Sequence, residues 1–182
     1  MKKVSFAAAL LAGGLLLQAC DNTAVAPASA DQTSTNASAR LGGGNYNAHL
    51  TGDQEVPATP SAPSVVTNAT GQVNLKLSAD GSELYYKLIV ANIESVRFAH
   101  LHLAPAGSNG PVVVDLFMPM PLIPVISPQG VLAEGVITAA SLKGPLAGKT
   151  LADLVAAIEA GNVYANVHSI KYPGGELRGQ VD

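Results

Sequence analysis

Cysteine, large aromatic side chains and basic residues are all scarce in this 182-residue chain. It contains one cysteine and no tryptophan, and aromatic residues make up 4% of the total. A single cysteine excludes an internal disulfide framework and a cysteine-based zinc finger. The low aromatic content means that a core has to be built from Val, Leu, Ile and Ala. Ten basic residues against 13 acidic ones give a formal charge of −3, which argues against the clustered basic surface that nucleic-acid binding needs.

Glycine and proline, by contrast, are abundant, with 18 and 12 residues respectively. They predict many turns between short elements rather than long helices. Hydrophobic residues make up 48% of the chain, which is enough for a packed core and excludes a chain that is disordered throughout. The length suits one domain of ordinary size with an appended tail.

The first 19 residues have the pattern of a secretory signal. A basic start, Met1–Lys3, is followed by the almost wholly apolar run Val4–Leu17, which is shorter than the roughly 20 residues of a membrane-spanning helix. Leu17–Cys20 (LQAC) then resembles the bacterial lipobox, whose cysteine is acylated and becomes the first residue. We therefore expect a signal peptide over 1–19 and a palmitate-bearing Cys20 that partners the lipid membrane. The plain alternative is a secreted protein with an incidental cysteine.

Residues 20–45 are interpreted as the lipidated cysteine and a flexible linker. The stretch from Asp21 to Gly44 is small, polar and without apolar periodicity, so it cannot bury enough surface to offset the entropy lost on ordering it. The folded domain is then expected at 46–182. The expected location is the bacterial cell envelope, outside the cytoplasm, either in the periplasm or at the cell surface.

From Tyr46 onward, apolar and polar residues alternate in short segments separated by turn residues, which is typical of β-strands. Val73, Leu75 and Leu77 share one face of such a segment. A single helix is expected over about 150–160, because apolar residues at helical spacing follow a capping box. About eight short strands with one crossover helix predict an all-β, antiparallel β-sandwich or flattened barrel.

Five segments of this part of the chain resemble the CHRD domain, a module named from repeats in the animal protein chordin and also found in exported bacterial proteins. They are Leu50–Pro57 (LTGDQEVP), Ala99–His102 (AHLH), Gly107–Pro111 (GSNGP), Tyr164–His168 (YANVH) and Tyr172–Gln180 (YPGGELRGQ). They occur in the family's order over essentially all of 46–182. The resemblance implies an immunoglobulin-like, Greek-key β-sandwich. It implies no reaction, because the family has no settled biochemical activity.

The sharpest chemical feature is the His-X-His pair at His100 and His102. Residues i and i+2 of a strand point to the same face, so both imidazoles face outward while the leucine between them faces the core. The same alternation turns His168 outward on a later strand. Imidazole suits copper or zinc, and a His-X-His pair also begins the copper site of copper–zinc superoxide dismutase, although this likeness is architectural analogy only. His49 is a candidate fourth ligand, and Asp115 is a candidate oxygen ligand or imidazole acceptor.

Charged and glycine residues near the two ends of the domain are expected to have structural roles. Glu55 lies near the first strand, and alternation puts Glu176 and Arg178 on one face of the last strand. One interpretation is an anion or substrate clamp. The other, which we favour, is a structural ion pair between the terminal strands. Gly174 and Gly175 form a tight turn that needs positive φ or close packing.

The function that these features favour is a non-catalytic binding or interaction module on the outer side of a membrane, with an envelope protein as its partner. The alternative is a copper- or zinc-binding, dismutase-like β-sandwich, against which stands the plain view that outward histidines only hydrogen-bond their neighbours. A third interpretation is a purely structural or adhesive role. A hydrolytic triad can be drawn from Ser108, His102 and Asp115, but nothing in the sequence resembles a nucleophile elbow.

Overall fold

The computed structural model describes residues 43–59, 61 and 64–182. The expected signal peptide, the lipidated Cys20 and most of the expected linker lie outside the described residues. Within the described ranges, no helix has the length and apolarity that a membrane crossing requires.

The described chain consists mainly of β-strands. The eight strands are β1 (Asn45–Thr51), β2 (Thr70–Leu77), β3 (Leu84–Ala91), β4 (Val96–Leu103), β5 (Val112–Phe117), β6 (Gly130–Ile137), β7 (Val163–Ser169) and β8 (Leu177–Gln180). Two short 3₁₀ helices (Ala139–Ser141 and Gly144–Leu146) and one α-helix, α1 (Leu151–Glu159), lie between β6 and β7.

The strands form one antiparallel sheet in the order β5-β4-β7-β8-β1-β2-β3-β6. The two end strands, β5 and β6, lie against each other, so the sheet bends round into a nearly closed, barrel-like sandwich. Strand β7 returns by the long connection after β6 to lie beside β4. The prediction of an all-β, antiparallel fold with one short helix is confirmed.

The seam between β5 and β6 is bridged by a side chain from β3. Tyr86 lies over Gly135 of β6, where a Cβ atom would come within 2.9 Å of its ring. The Tyr86 hydroxyl donates a hydrogen bond to the Leu116 carbonyl oxygen of β5 at 2.7 Å. An aromatic ring packed over a strand glycine is a known device for holding curved sheets together. Tyr86 therefore ties three strands together at the seam.

Helix α1 begins at a capping box, as the sequence predicts. The Thr150 hydroxyl accepts a hydrogen bond from the Asp153 backbone amide at 3.3 Å, and the Asp153 carboxylate accepts one from the Thr150 amide at 2.8 Å. One face of the helix is buried against the core through Leu151, Leu154 and Ile158. The buried face thus holds helix α1, which forms part of the long connection between β6 and β7, against the core.

Side-chain alternation builds the core and also positions the site. In β2, Val73, Leu75 and Leu77 are buried while the residues between them are not, because successive side chains of a strand point to opposite faces. Strand β7 is different, since all seven of its residues are buried. Its inward side chains lie in the core, and its outward side chains lie beneath loops that fold back over the sheet.

Candidate metal centre

Three imidazoles meet on the outer face of β4 and β7. His100 and His102 point outward from β4, and His168 points outward from β7. The register pairs His100 with Asn166 and Phe98 with His168, so the three rings occupy neighbouring positions on one face. One ring nitrogen from each histidine lies within 4.8 Å of the other two, and His100 Nδ1 is 3.2 Å from His168 Nε2. The three imidazoles that alternation turns outward therefore lie together on one face.

Backbone carbonyls fix the tautomers of two of these rings. His102 Nδ1 lies 2.9 Å from the Gly110 carbonyl oxygen, and His168 Nδ1 lies 3.1 Å from that of Pro173. Because a carbonyl oxygen can only accept, each Nδ1 carries the proton and each Nε2 presents a lone pair. The Nε2 atom of His102 is buried and has no hydrogen-bond partner among the described residues. A buried lone pair without a donor is costly, and a metal ion at this point would satisfy it.

His100 faces a carboxylate instead of a carbonyl. Its Nε2 atom lies 3.7 Å from Asp115 Oδ1, which is an electrostatic contact rather than a hydrogen bond. Asp115 also forms an ion pair with Lys143. Its Nδ1 atom lies 3.2 Å from His168 Nε2, and because that Nε2 presents a lone pair, the hydrogen bond between them places the proton on His100 Nδ1. Ligation of a metal through Nδ1 would require this proton to move to Nε2, toward Asp115. Each ring would then have an acceptor on its outer side, which is the arrangement that orients histidine ligands around metals.

Burial keeps the three histidines neutral. Removal from water lowers the pKa of His100 and of His168 to about 4 in each case, and it lowers the pKa of His102 as well. The neighbouring histidines also lower the pKa of His100 and of His168. Metal ligation requires the neutral imidazole, so near pH 7 the cluster is already in the ligating protonation state.

A loop that we call the cover loop, Ala104–Pro111, folds back over the outer face beside these rings. Arg178 is 2% exposed and donates to the Ser108 carbonyl oxygen at 2.8 Å and to Asn109 Oδ1 at 3.2 Å. Its guanidinium carbon lies 3.6 Å from the centre of the Tyr164 ring, against which the His102 ring also stacks at 4.8 Å. Arg178 therefore holds the loop whose Gly110 carbonyl orients His102.

The expected direct ion pair between Glu55 and Arg178 is replaced by an indirect arrangement. Glu55 accepts a hydrogen bond from Asn166 Nδ2, and Arg178 bonds the cover loop, so the two charges act on each other through space. Gly175 makes this possible, because a Cβ atom there would lie 2.5 Å from Glu55 Oε1 and its φ of +138° disfavours other residues. Glu176 is buried and accepts from the Thr67 hydroxyl at 2.7 Å. These residues support the structural interpretation over an anion clamp.

Replacing Glu55 with glutamine is expected to change how stability depends on pH. Burial raises the pKa of Glu55 from 4.5 to about 7, so the folded chain holds this proton more tightly than the unfolded chain does. The stabilisation from the protonated group is fully present below about pH 4.5 and is lost as the pH rises through about 7. Between about pH 5 and pH 8, the wild type should lose stability relative to E55Q in urea unfolding.

The matched control for this comparison is E94Q, because Glu94 is exposed. Its stability difference from the wild type should not change over the same pH range. If the difference between the wild type and E55Q were equally constant, Glu55 would have an ordinary pKa in the folded chain.

The structure separates the other predicted residues from the three-histidine group. His49 is exposed in β1, and β8 lies between β1 and β7, so His49 is not brought into the group. Asp115 lies beside His100 rather than His102, and Ser108 contributes its backbone carbonyl to Arg178. No hydrogen bond joins Ser108 to His102 in the described part of the chain, so the hydrolytic triad is not assembled. Gly174 is exposed and a side chain there would meet no atom within 4 Å.

Comparison with known proteins gives one match. The family model of the CHRD domain matches residues 46–181. No curated protein matches the chain significantly, and neither does any solved structure. The matched range includes all five segments that carry the resemblance and all three histidines of the cluster. The chain therefore belongs to the CHRD domain family.

Proposed function

We propose that the domain is a binding module whose ligand is a copper or zinc ion held by His100, His102 and His168. The observation that carries the proposal is the buried His102 Nε2 lone pair, which has no donor in the described structure and faces a cluster of two more neutral imidazoles. Nitrogen ligands of this kind suit both ions. Binding, rather than catalysis, is the role proposed.

The plain alternative, in which the histidines only hydrogen-bond their neighbours, explains less. It accounts for the bonds from His102 Nδ1 and His168 Nδ1 to carbonyl oxygens. It also accounts for the contact between His100 Nδ1 and His168 Nε2 at 3.2 Å. It leaves the buried His102 Nε2 lone pair without a donor. A metal ion would satisfy that lone pair and can be reached by one nitrogen from each of the three rings, since these atoms lie within 4.8 Å of one another. Metal binding is therefore a better explanation of the cluster than hydrogen bonding alone.

The test is a calorimetric titration of the full chain with Cu²⁺ and with Zn²⁺. The chain carries Cys20→Ser, which removes its one thiol. We expect one ion per chain for the wild-type cluster and an affinity at least about 100-fold weaker for the His100→Ala/His102→Ala variant. His49→Ala is the matched control and should bind as the wild type does, because His49 is exposed and outside the cluster. Equally weak binding by the wild type and the double variant would remove the proposal.

We propose further that the domain is attached to a membrane of the bacterial envelope, on its outer side, through acylated Cys20. Support comes from the sequence, in which the one cysteine of the chain follows an apolar run and lies at the lipobox position. Several acyl chains together give durable attachment, since each buried CH₂ contributes about 0.8 kcal/mol.

Detergent phase partition of bacterial cells that produce the chain tests this attachment. The wild type should enter the detergent phase, because its acyl chains transfer favourably from water into the apolar interior of the detergent micelles. Cys20→Ser should lose the lipid and leave that phase, or accumulate with the signal peptide still attached. Identical partition of the two chains, together with a mass difference that the replacement of sulfur by oxygen explains in full, would show that Cys20 carries no lipid.

A further inference from the structure

A cavity of about 270 Å³ lies beside the turn that holds His168, and the three histidines do not line it. Its lining includes Glu55, Pro57 and Val65 on one side of the chain and Lys171, Pro173 and Gly175 on the other. The cavity is smaller than the pockets that bind drug-sized ligands. It therefore suits a molecule of only a few heavy atoms.

The Glu55 carboxylate is the acidic group of this cavity. One of its oxygens accepts from Asn166. Arg178, whose positive charge acts on Glu55 through space, is engaged with the cover loop. Burial raises the pKa of Glu55 to about 7, because removal from water outweighs the hydrogen bond from Asn166 and the charge of Arg178. Glu55 is half-buried, and a cation that reaches its carboxylate directly can donate a charge-assisted hydrogen bond to it.

The rest of the lining indicates which other chemical groups a cationic ligand of this cavity would have. Val56, Pro57, Val65 and Pro173 present apolar surface, which suits a short hydrocarbon body. Gly175 removes the side chain that would otherwise lie 2.5 Å from Glu55 Oε1. Lys171 supplies a positive charge to the same lining, so it disfavours a second cationic group on the ligand and favours a carboxylate.

We propose that this cavity binds a small organic ammonium ion, with the ammonium group on the Glu55 carboxylate and a short apolar body against Pro57, Val65 and Pro173. Two sources share this chemistry, a simple monoamine and a free amino acid. The two differ in the carboxylate that only the amino acid can offer to Lys171. The three histidines do not line this cavity; the two sites have Pro173 in common, whose carbonyl oxygen bonds His168 Nδ1.

The test is a titration of the ¹⁵N-labelled full chain carrying Cys20→Ser with n-butylamine hydrochloride or L-norvaline, followed by amide chemical shifts. Sodium chloride at equal ionic strength is the reference. We expect shifts concentrated at residues 171–175 and at Glu55. E55Q should bind at least about tenfold more weakly, because it loses a charge-assisted hydrogen bond. It should still fold, because a glutamine oxygen can also accept from Asn166, and a melting curve checks this.

Three further variants make the result specific. E94Q, which changes an exposed carboxylate outside the cavity, should bind as the wild type does. His100→Ala/His102→Ala should also retain the binding, so failure of the metal proposal and failure of this one are distinguishable. Tighter binding of norvaline that Lys171→Gln removes would identify the amino acid as the ligand class. Tighter binding of butylamine would identify the simple amine.

Two results would overturn the proposal. One is the absence of shifts at residues 171–175 with both ligands up to about 50 mM, since a pocket that weak gives no specific binding. The other is an E55Q chain that folds and binds either ligand as tightly as the wild type.

Discussion

Arg178→Ala is expected to lower the free energy of unfolding by about 3–5 kcal/mol, because truncating one partner of a buried charged network leaves the others uncompensated. The Ser108 carbonyl and the Asn109 side chain would each lose their donor from Arg178, and one packing partner of the Tyr164 ring would be gone. For a domain of this size, the melting temperature should fall by roughly 10 °C. Thermal unfolding followed by circular dichroism measures the change.

Arg97→Ala is the matched control for this prediction. Arg97 is exposed and lies over the Phe98 ring at 5.0 Å, so its loss should cost no more than about 1 kcal/mol. Arg178→Lys should fall between the two, since lysine keeps the charge but not the planar fork that reaches two acceptors. A melting curve of Arg178→Ala that coincides with the wild type would show that the cover loop does not depend on this residue.

Gly110→Ala is expected to cost about 2–4 kcal/mol of stability and also to weaken metal binding. A Cβ atom at this position would lie 2.0 Å from the Leu103 carbonyl oxygen and 2.6 Å from its carbon. Both are backbone atoms of β4, so the cover loop has to move instead. Its movement displaces the Gly110 carbonyl from His102 Nδ1, and the affinity of the proposed site for Cu²⁺ or Zn²⁺ should fall about tenfold or more.

The control lies in the same loop. A side chain at Gly107 would meet no atom within 4 Å, although its φ is +75°, so Gly107→Ala should cost only about 1 kcal/mol. It should leave metal affinity unchanged, because no hydrogen bond to a histidine depends on it. Urea unfolding and the calorimetric titration give the two readouts. Equal losses for the two glycine variants would contradict the steric explanation.

Alternation in the sequence predicts most of the fold and the central part of the site. Outward positions of β4 and β7 follow from counting residues along a strand, and they place His100, His102 and His168 on outer faces. The capping box at Thr150 and the apolar spacing after it likewise locate α1 within one or two residues. Local rules are sufficient in these places because the pattern repeats along a single element.

The surroundings of the histidines could not be predicted in the same way. The sequence suggested outward imidazoles on an open sheet face, whereas His102 and His168 are only 9% and 8% exposed. Loops cover that face, and the path of a loop has no periodicity from which it can be calculated. The Gly110 and Pro173 carbonyls are backbone groups, which have no residue type to mark them. Gly110 and Gly175, beside them, were the signal that other atoms approach closely here, since a Cβ atom at either position would lie within 2.5 Å of a neighbour.

Strand order was the other unknown. His49 was a candidate fourth ligand while the strand order was unknown, and in the structure β8 separates β1 from β7. The prediction of a direct ion pair between Glu55 and Arg178 also depended on a long-range contact that the sequence does not reveal. In the structure the guanidinium group of Arg178 donates its hydrogen bonds to the cover loop instead. Long-range neighbours of this kind depend on which strands meet, and alternation within one strand contains no information on that point.

The strand order also sets the sequence of events in which this domain can fold. Hairpins β2–β3 and β4–β5 join neighbouring segments and can form as soon as each segment exists. The pairings of β4 with β7 and of β1 with β8 join segments that are far apart in the sequence. Because such distant pairings are slow to find, we expect barrel closure to come late in folding. A chain shortened by its final six residues would leave β1 and β7 as bare edges, open to association with other chains.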